Sequence, residues 1–303
     1  MVNLSVKIGK LKLKNPVMAA SGTFGPEYRQ LIDVGSIGAV IAKTITLKAR
    51  AGNKPPRIAE APSGMLNSIG LENKGLDDFI NNKIQLFPKG KTALIVSISG
   101  DSDEEFKELL KALNKIDKVS AIELNLSCPN VKHGSRHGLT AQDKGAVSET
   151  VEAVRRLTKL PLIAKLSPCV TDIAGIARAA EKAGADAVSL INTFPAMAVD
   201  IETRKPLLGN MSGGLSGPAI KPIALKMVWD TYQKVKIPII GIGGIMGYED
   251  AVEFILCGAT CVQIGTANFV DPRTPAETLR GITSYLAKNK IDDINELIGR
   301  LGK

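Results

Sequence analysis

The sequence predicts an α/β fold, the (β/α)8 TIM barrel, and three observations point to it. Short apolar runs bounded by turn residues recur along the 303-residue chain, as strands buried on both faces require. Helix-period stretches lie between these runs. The segments "VGSIGAVIAK" (34–43), "AGADAVSLIN" (183–192) and "CGATCVQIGT" (257–266) also share one plan. In each, a glycine closes a helix in the left-handed conformation, a small residue follows, and an apolar strand begins. About eight such units in roughly 300 residues match the size of this barrel. An open doubly wound sheet is the alternative, but no G-x-G-x-x-G follows the first strand.

In chain order, the predicted strands are Pro16–Ala20, Ile37–Lys43, Ala93–Ser97, Ala121–Leu126, Leu162–Leu166, Ala187–Ile191, Pro238–Ile242 and Cys261–Gly265. The predicted helices are Asp103–Lys115, Ala146–Thr158, Asp172–Ala183, Pro218–Lys234 and Tyr248–Cys257. Ser102 and Glu105 have the spacing of a capping box before the first of these. Two pieces fall outside the repeat. Leu4–Leu13 alternates around Gly9 and predicts a hairpin that caps the barrel bottom. Asn192–Gly217 is a long excursion at the C-terminal mouth, and long loops in compact domains are usually functional. With no linker and no low-complexity segment, residues 1–303 are expected to form a single domain.

Composition narrows the function classes. No apolar run reaches the roughly 20 residues that span a bilayer, and Met1–Asn15 lacks the apolar core of a signal peptide. A cytoplasmic protein is expected, with no membrane partner. Net charge is +9, yet aromatic residues are only 4%, too few for a base-stacking platform, so no nucleic-acid partner is expected. Solvated surface lysine explains most of the charge, and a phosphate-bearing ligand is the next explanation. Cys128, Cys169, Cys257 and Cys261 form no Cys-x-x-Cys pair, and His133 and His137 are the only histidines. That pattern fits neither a disulfide framework nor a zinc or iron–sulfur site, so no metal is expected.

In this barrel the active site lies at the C-terminal ends of the strands. The polar or glycine residues there are Ser21, Lys43 with Thr44, Ser97, Asn125, Lys165, Asn192 with Thr193, Gly243 with Gly244, and Gly265 with Thr266. Polar residues do gather where strands end, so position alone is weak grounds for any single member. The last two pairs are clearer. "GIGGIMGYEDA" (241–251) is a glycine turn entering a helix, and "QIGTANF" (263–269) ends the eighth strand. Loops after the last two strands are the usual phosphate site, where backbone N–H groups close on an anion. Lys165 in "LIAKLSP" is costly inside a barrel unless it meets an anion. It can also snorkel to solvent, form a Schiff base, or sit beside an electron-rich ring. Asn67 and Asn73, in "GMLNSIGLENKG" (64–75), could read a planar amide-rich ring or merely shape turns.

With these residues in place, the chain closely resembles the class 1B dihydroorotate dehydrogenases, the FMN-containing catalytic subunits of pyrimidine biosynthesis. The resemblance spans nearly the whole chain. It rests on "NPVMAASGTFG" (15–25), "AKTIT" (42–46), "GNKPPRIAE" (52–60), "GMLNSIGLENKGLD" (64–77), "ELNLSCPNV" (123–131), "AKLSP" (164–168), "INT" (191–193), "SGGLSGPAIKP" (212–222), "GIGG" (241–244) and "GTANF" (265–269). It implies that Ser21, Lys43, Thr44, Asn125, Lys165, Ile191, Gly217, Gly243, Gly244, Gly265 and Thr266 bind FMN. Ser97 joins them, standing where the family commonly has asparagine. The resemblance implies that Lys43, Asn67, Ser68, Ile69, Gly70, Leu71, Asn125, Asn192 and Thr193 bind dihydroorotate or orotate. It makes Cys128 the catalytic base. The loop after Cys128, with His133, Arg136 and His137, departs from the family pattern.

The expected reaction removes a proton from C5 of dihydroorotate to Cys128 and a hydride from C6 to FMN. A free thiol has a pKa of about 8.5, so a neighbouring cation such as Lys43 would assist. FAD and a [2Fe–2S] cluster are expected only on a partner subunit that passes electrons to NAD+. A homodimer of catalytic subunits joined by electron-transfer subunits, a heterotetramer, is implied. Alternatives are another FMN barrel oxidoreductase such as a tRNA dihydrouridine synthase, a Schiff-base lyase using Lys165, and a non-catalytic cofactor-binding subunit.

Overall fold

The computed structural model describes residues 2–26, 28, 33–87, 90, 92–126 and 142–302. The chain opens with an antiparallel hairpin of β1 (Val6–Ile8) and β2 (Leu11–Leu13). Then come β3 (Val17–Ala19), β4 (Ala39–Ile45), β5 (Ile58–Ala61), β6 (Gly64–Asn67), β7 (Ala93–Ile98), β8 (Val119–Asn125), β9 (Leu162–Lys165) and β10 (Ala187–Leu190). An excursion holds β11 (Phe194–Ala196), β12 (Val199–Asp200), β13 (Lys205–Pro206) and β14 (Gly213–Ser216). β15 (Ile239–Ile242) and β16 (Cys261–Ile264) complete the strands. Eight of them close a parallel barrel in the order β3, β4, β7, β8, β9, β10, β15, β16 and back to β3. All eight predicted strands are present, and closure excludes the open sheet. Five of them, β3, β9, β10, β15 and β16, are buried at every position, which is why they read as plain apolar runs.

The helices are α1 (Gly75–Asp78), α2 (Asp103–Leu113), α3 (Lys144–Leu157), α4 (Ile173–Lys182), α5 (Lys221–Tyr232), α6 (Tyr248–Leu256), α7 (Ala267–Val270) and α8 (Thr274–Lys288). The five predicted helices appear within a few residues of their expected bounds; α1, α7 and α8 have no counterpart among them. Pro218–Ile220 forms a 3-10 turn, so the predicted helix starting at Pro218 is helical in the strict sense only from Lys221. The capping box before α2 forms with a shifted second arm. Ser102 Oγ accepts from Glu105 N at 3.3 Å, while Glu105 Oε2 accepts from Asp101 N rather than from Ser102 N.

The first hairpin plugs the N-terminal end of the barrel. Val6, Ile8 and Leu13 are sealed in the core. Gly9 takes φ 54° at the turn, where a Cβ would come within 2.9 Å of Asp186, the residue preceding β10. At the opposite end the excursion is not a free loop. β14 pairs with β6, matching Gly214 with Asn67, Leu215 with Leu66 and Ser216 with Met65. Together β11, β14, β6 and β5 form a four-stranded antiparallel sheet beside the mouth.

Candidate active site

Three glycine-bearing loops converge at the ends of β14, β15 and β16. Gly217, after β14, has φ 97° and ψ −169°, a region essentially closed to other residues. A Cβ there would lie 2.8 Å from Gly64 Cα and 3.6 Å from the Thr266 methyl. Gly244 has φ 73°, and a Cβ on it would meet Lys221 Cβ at 2.7 Å and the Gly217 carbonyl oxygen at 2.9 Å. A Cβ on Gly243 would press on Ala224 and approach Ile191 to 3.5 Å. Thr266 Oγ1 donates to Ser216 Oγ at 2.8 Å, tying the loop after β16 to β14. At Gly265 a Cβ would have no neighbour closer than 3.8 Å, so packing does not demand glycine there. The missing side chain instead keeps the surface of the cradle bare. Bare glycine backbone beside the start of α5 suits a phosphate. Ile191, Gly217, Gly243, Gly244, Gly265 and Thr266 are thus one cluster.

Across the mouth, three hydroxyls form a row. Ser21 Oγ donates to the Ala42 carbonyl at 2.9 Å and accepts from Thr44 N at 3.1 Å. Thr44 Oγ1 and Ser97 Oγ lie 2.9 Å apart. Lys43 stands on the same strand, where the β4–β7 register shifts between Ala42 and Ile45. Such irregularities re-aim side chains. Lys43 lines a cavity of about 310 Å³ with Thr23, Phe24, Glu72, Asn73 and Phe269. Its ammonium is reachable from the open mouth yet ringed by protein. That crowding lowers its pKa, the Glu72 carboxylate pushes it back up, and the Arg57 guanidinium lowers it again.

Lys165 ends β9 and meets an anion supplied by the protein itself. Its Nζ lies 3.7 Å from Oε1 of the fully enclosed Glu123. Glu123 Oε2 accepts from Gln263 Nε2 at 2.8 Å and from Ser189 Oγ at 3.2 Å. Glu123, Ser189 and Gln263 were missed by sequence reasoning. The signal was partial: Ser189 and Gln263 are each the one polar residue of a short apolar strand, whereas Glu123 shares β8 with Ser120 and Asn125. Asn125, two residues beyond Glu123, pairs in register with Lys165.

The residues expected to bind the substrate gather along the β6–β14 seam. Asn67 Nδ2 donates to the Gly214 carbonyl at 3.3 Å. A Cβ on Gly214 would fall 1.9 Å from Thr193 Oγ1, so that glycine lets Thr193 close on the sheet. Asn192 Oδ1 accepts from Thr193 N at 2.8 Å. Ser68 Oγ accepts from Asn53 Nδ2 at 2.8 Å, and Ile69 accepts through its carbonyl from Asn53 N at 3.2 Å. Gly70 and Leu71 turn with φ 69° and 55°. Asn73 is a turn shaper. Its Oδ1 accepts from Gly75 N at 2.8 Å, and its Nδ2 donates to Leu71 O at 2.7 Å and Thr46 Oγ1 at 2.9 Å. Cys128, with His133, Arg136 and His137, lies outside the described residues. Among the described residues no His, Cys, Asp and Glu group has metal-ligand geometry, and no helix is long and apolar enough to cross a membrane.

A closed parallel barrel with a glycine cradle after its last strands, and lysines, asparagines and hydroxyls around its mouth, defines the class of cofactor-binding (β/α)8 barrels. Within that class the family model for dihydroorotate dehydrogenase matches residues 3–286, and the chain belongs to this family. It is 52% identical to the dihydroorotate dehydrogenase B (NAD(+)) catalytic subunit of Geotalea daltonii, over 99% of this chain and 98% of that one. It is also 52% identical to the subunits of the same name from Caldicellulosiruptor saccharolyticus and Bacteroides thetaiotaomicron, over 99% of both chains in each case.

Proposed function

We propose that this chain oxidises dihydroorotate to orotate in pyrimidine biosynthesis, as the NAD+-linked type of dihydroorotate dehydrogenase, working as one catalytic domain in the cytoplasm. The observation that carries the proposal is the convergence of the cradle, the hydroxyl row and Lys165 around one barrel mouth, in a chain of this family. The family is FMN-dependent in general. The cradle fits the cofactor's phosphate, with Ile191, Gly217, Gly243, Gly244, Gly265 and Thr266 holding that end. Ser21, Lys43, Thr44, Ser97, Asn125 and Lys165 hold the remainder. When bound, FMN supplies a two-electron acceptor for the hydride leaving C6 of the substrate.

The chain's own residues do the rest. Lys165 places a cation where negative charge develops, the kind of preorganised electrostatics that lowers barriers most. Lys43, Asn67, Ser68, Ile69, Gly70, Leu71, Asn125, Asn192 and Thr193 orient the substrate ring and its carboxylate. Cys128 takes the C5 proton. A partner subunit carrying FAD and a [2Fe–2S] cluster returns the electrons to NAD+, in a heterotetramer built on a catalytic homodimer. Two facts support a partner: the relatives are named catalytic subunits, and this sequence has no dinucleotide fingerprint after its first strand.

The test is anaerobic mixing of the purified protein with dihydroorotate. The visible flavin band should bleach. Cys128→Ala should keep FMN and lose about 10²–10⁴ in reduction rate, the usual weight of a general base. A protein without flavin, or flavin that stays oxidised, would refute the function. Near-normal reduction by Cys128→Ala would refute the base alone.

A further inference from the structure

Glu123 and Lys165 are the charged side chains buried among the described residues, and they face each other. Glu123 is fully enclosed and sits on the same strand face as Asn125, one layer deeper. Its two oxygens are used differently. Oε2 is fixed by two neutral donors, Gln263 Nε2 at 2.8 Å and Ser189 Oγ at 3.2 Å. Oε1 makes no hydrogen bond and lies 3.7 Å from Lys165 Nζ. The neutral donors therefore orient the carboxylate, leaving one oxygen for the cation.

A buried ion pair is a poor way to hold a barrel together. Apolar residues of similar volume often serve stability as well or better, because both charges must be desolvated. The pair instead joins the barrel interior to the mouth, since the Lys165 side chain is 10% exposed and the Glu123 side chain 0%. We propose that Glu123 is a positioning residue for the cofactor site: its carboxylate fixes the Lys165 ammonium from below and offsets part of its field at the flavin. This inference rests on FMN binding at the mouth as described above. Glu123 reaches the flavin only through Lys165.

Glu123→Gln keeps the shape and an acceptor for the neutral donors but removes the offsetting charge. Lys165 then stabilises the negative charge of reduced flavin more strongly. The reduction equilibrium of bound FMN should shift by tenfold or more towards the reduced form, about 30 mV upward for a two-electron couple. Glu123→Asp keeps the charge and withdraws it by one methylene, so it should shift the potential the same way by less. A residue that served packing alone would change thermal stability and leave the potential still.

The experiment is a redox titration of the full-length, FMN-loaded chain in wild-type, Glu123→Gln and Glu123→Asp forms. The graded rise supports the proposal; an unchanged or lowered potential in Glu123→Gln overturns it. If Glu123→Gln does not fold or hold FMN, Glu123→Asp decides, by a rise or by an unchanged potential. Wild-type protein that lacks FMN, or whose FMN dihydroorotate leaves oxidised, overturns the functional proposal and this one together. Normal wild-type reduction with no shift in the variants overturns this one alone.

Discussion

Replacing Gly217 by alanine tests whether the cradle is built by backbone geometry. At φ 97° and ψ −169° an L-residue carries strain of about 1–3 kcal/mol. The new Cβ would lie 2.8 Å from Gly64 Cα and 3.4 Å from the Ser63 carbonyl oxygen, which already accepts from Ala219 N at 2.9 Å. The second is ordinary contact, but the first is a clash with backbone that cannot swing aside. Overpacking of this kind adds about 1–3 kcal/mol. The total is roughly 2–6 kcal/mol, and it can appear in two places. If β6 and β14 part locally, the cradle opens, and even 2 kcal/mol weakens FMN binding roughly 30-fold, at 1.4 kcal/mol per factor of ten. If the whole fold bears the strain, the melting temperature falls by about 4 °C or more, at roughly 2 °C per kcal/mol for a chain of this size. Flavin fluorescence titration of the apoprotein and thermal unfolding measure the two. Unchanged FMN affinity together with an unchanged melting temperature would refute the reasoning.

Removing the Glu72 carboxylate, as in Glu72→Gln, should drop the Lys43 pKa further, because Glu72 is the group that raises it against burial. Lys43 then loses its proton at lower pH, so the alkaline rise in KM for dihydroorotate should begin earlier; a rise that moved to higher pH would contradict the arrangement. Cys257 and Cys261 should stay unmodified by alkylating reagents in the native protein at neutral pH and react only on unfolding. Burial raises both thiols, and Glu253 raises Cys257 further. Mass spectrometry of labelled peptides reads this directly, and rapid native labelling of Cys261 would mean that the barrel wall is open there.

The barrel was legible because its strands are short, largely buried and punctuated, and most of the cradle because glycine turns after the last two strands have little other use. The residues that escaped did so for physical reasons. In "ELNL" the polar members of the alternation point into the barrel and the leucines outward to the helices. An alternation that usually marks a solvated face therefore hid Glu123 in the interior. α8 follows the repeat and had no strand after it to demand it. The β6–β14 seam joins residues 147 positions apart, and neither "GMLN" nor "GGLS" has a hydrophobic period to announce a strand.

The sequence alone determined the eight strands, the helices that alternate with them and the glycine turns after the last two strands, because local burial patterns and turn residues set all three. Only the tertiary structure decided what Lys165 pairs with, that Asn73 shapes a turn while Asn67 faces the seam, and that the 64–71 and 192–217 segments form one wall of the mouth. Those depend on closing the barrel, which brings distant strands to within hydrogen-bond reach, and no local pattern encodes that distance.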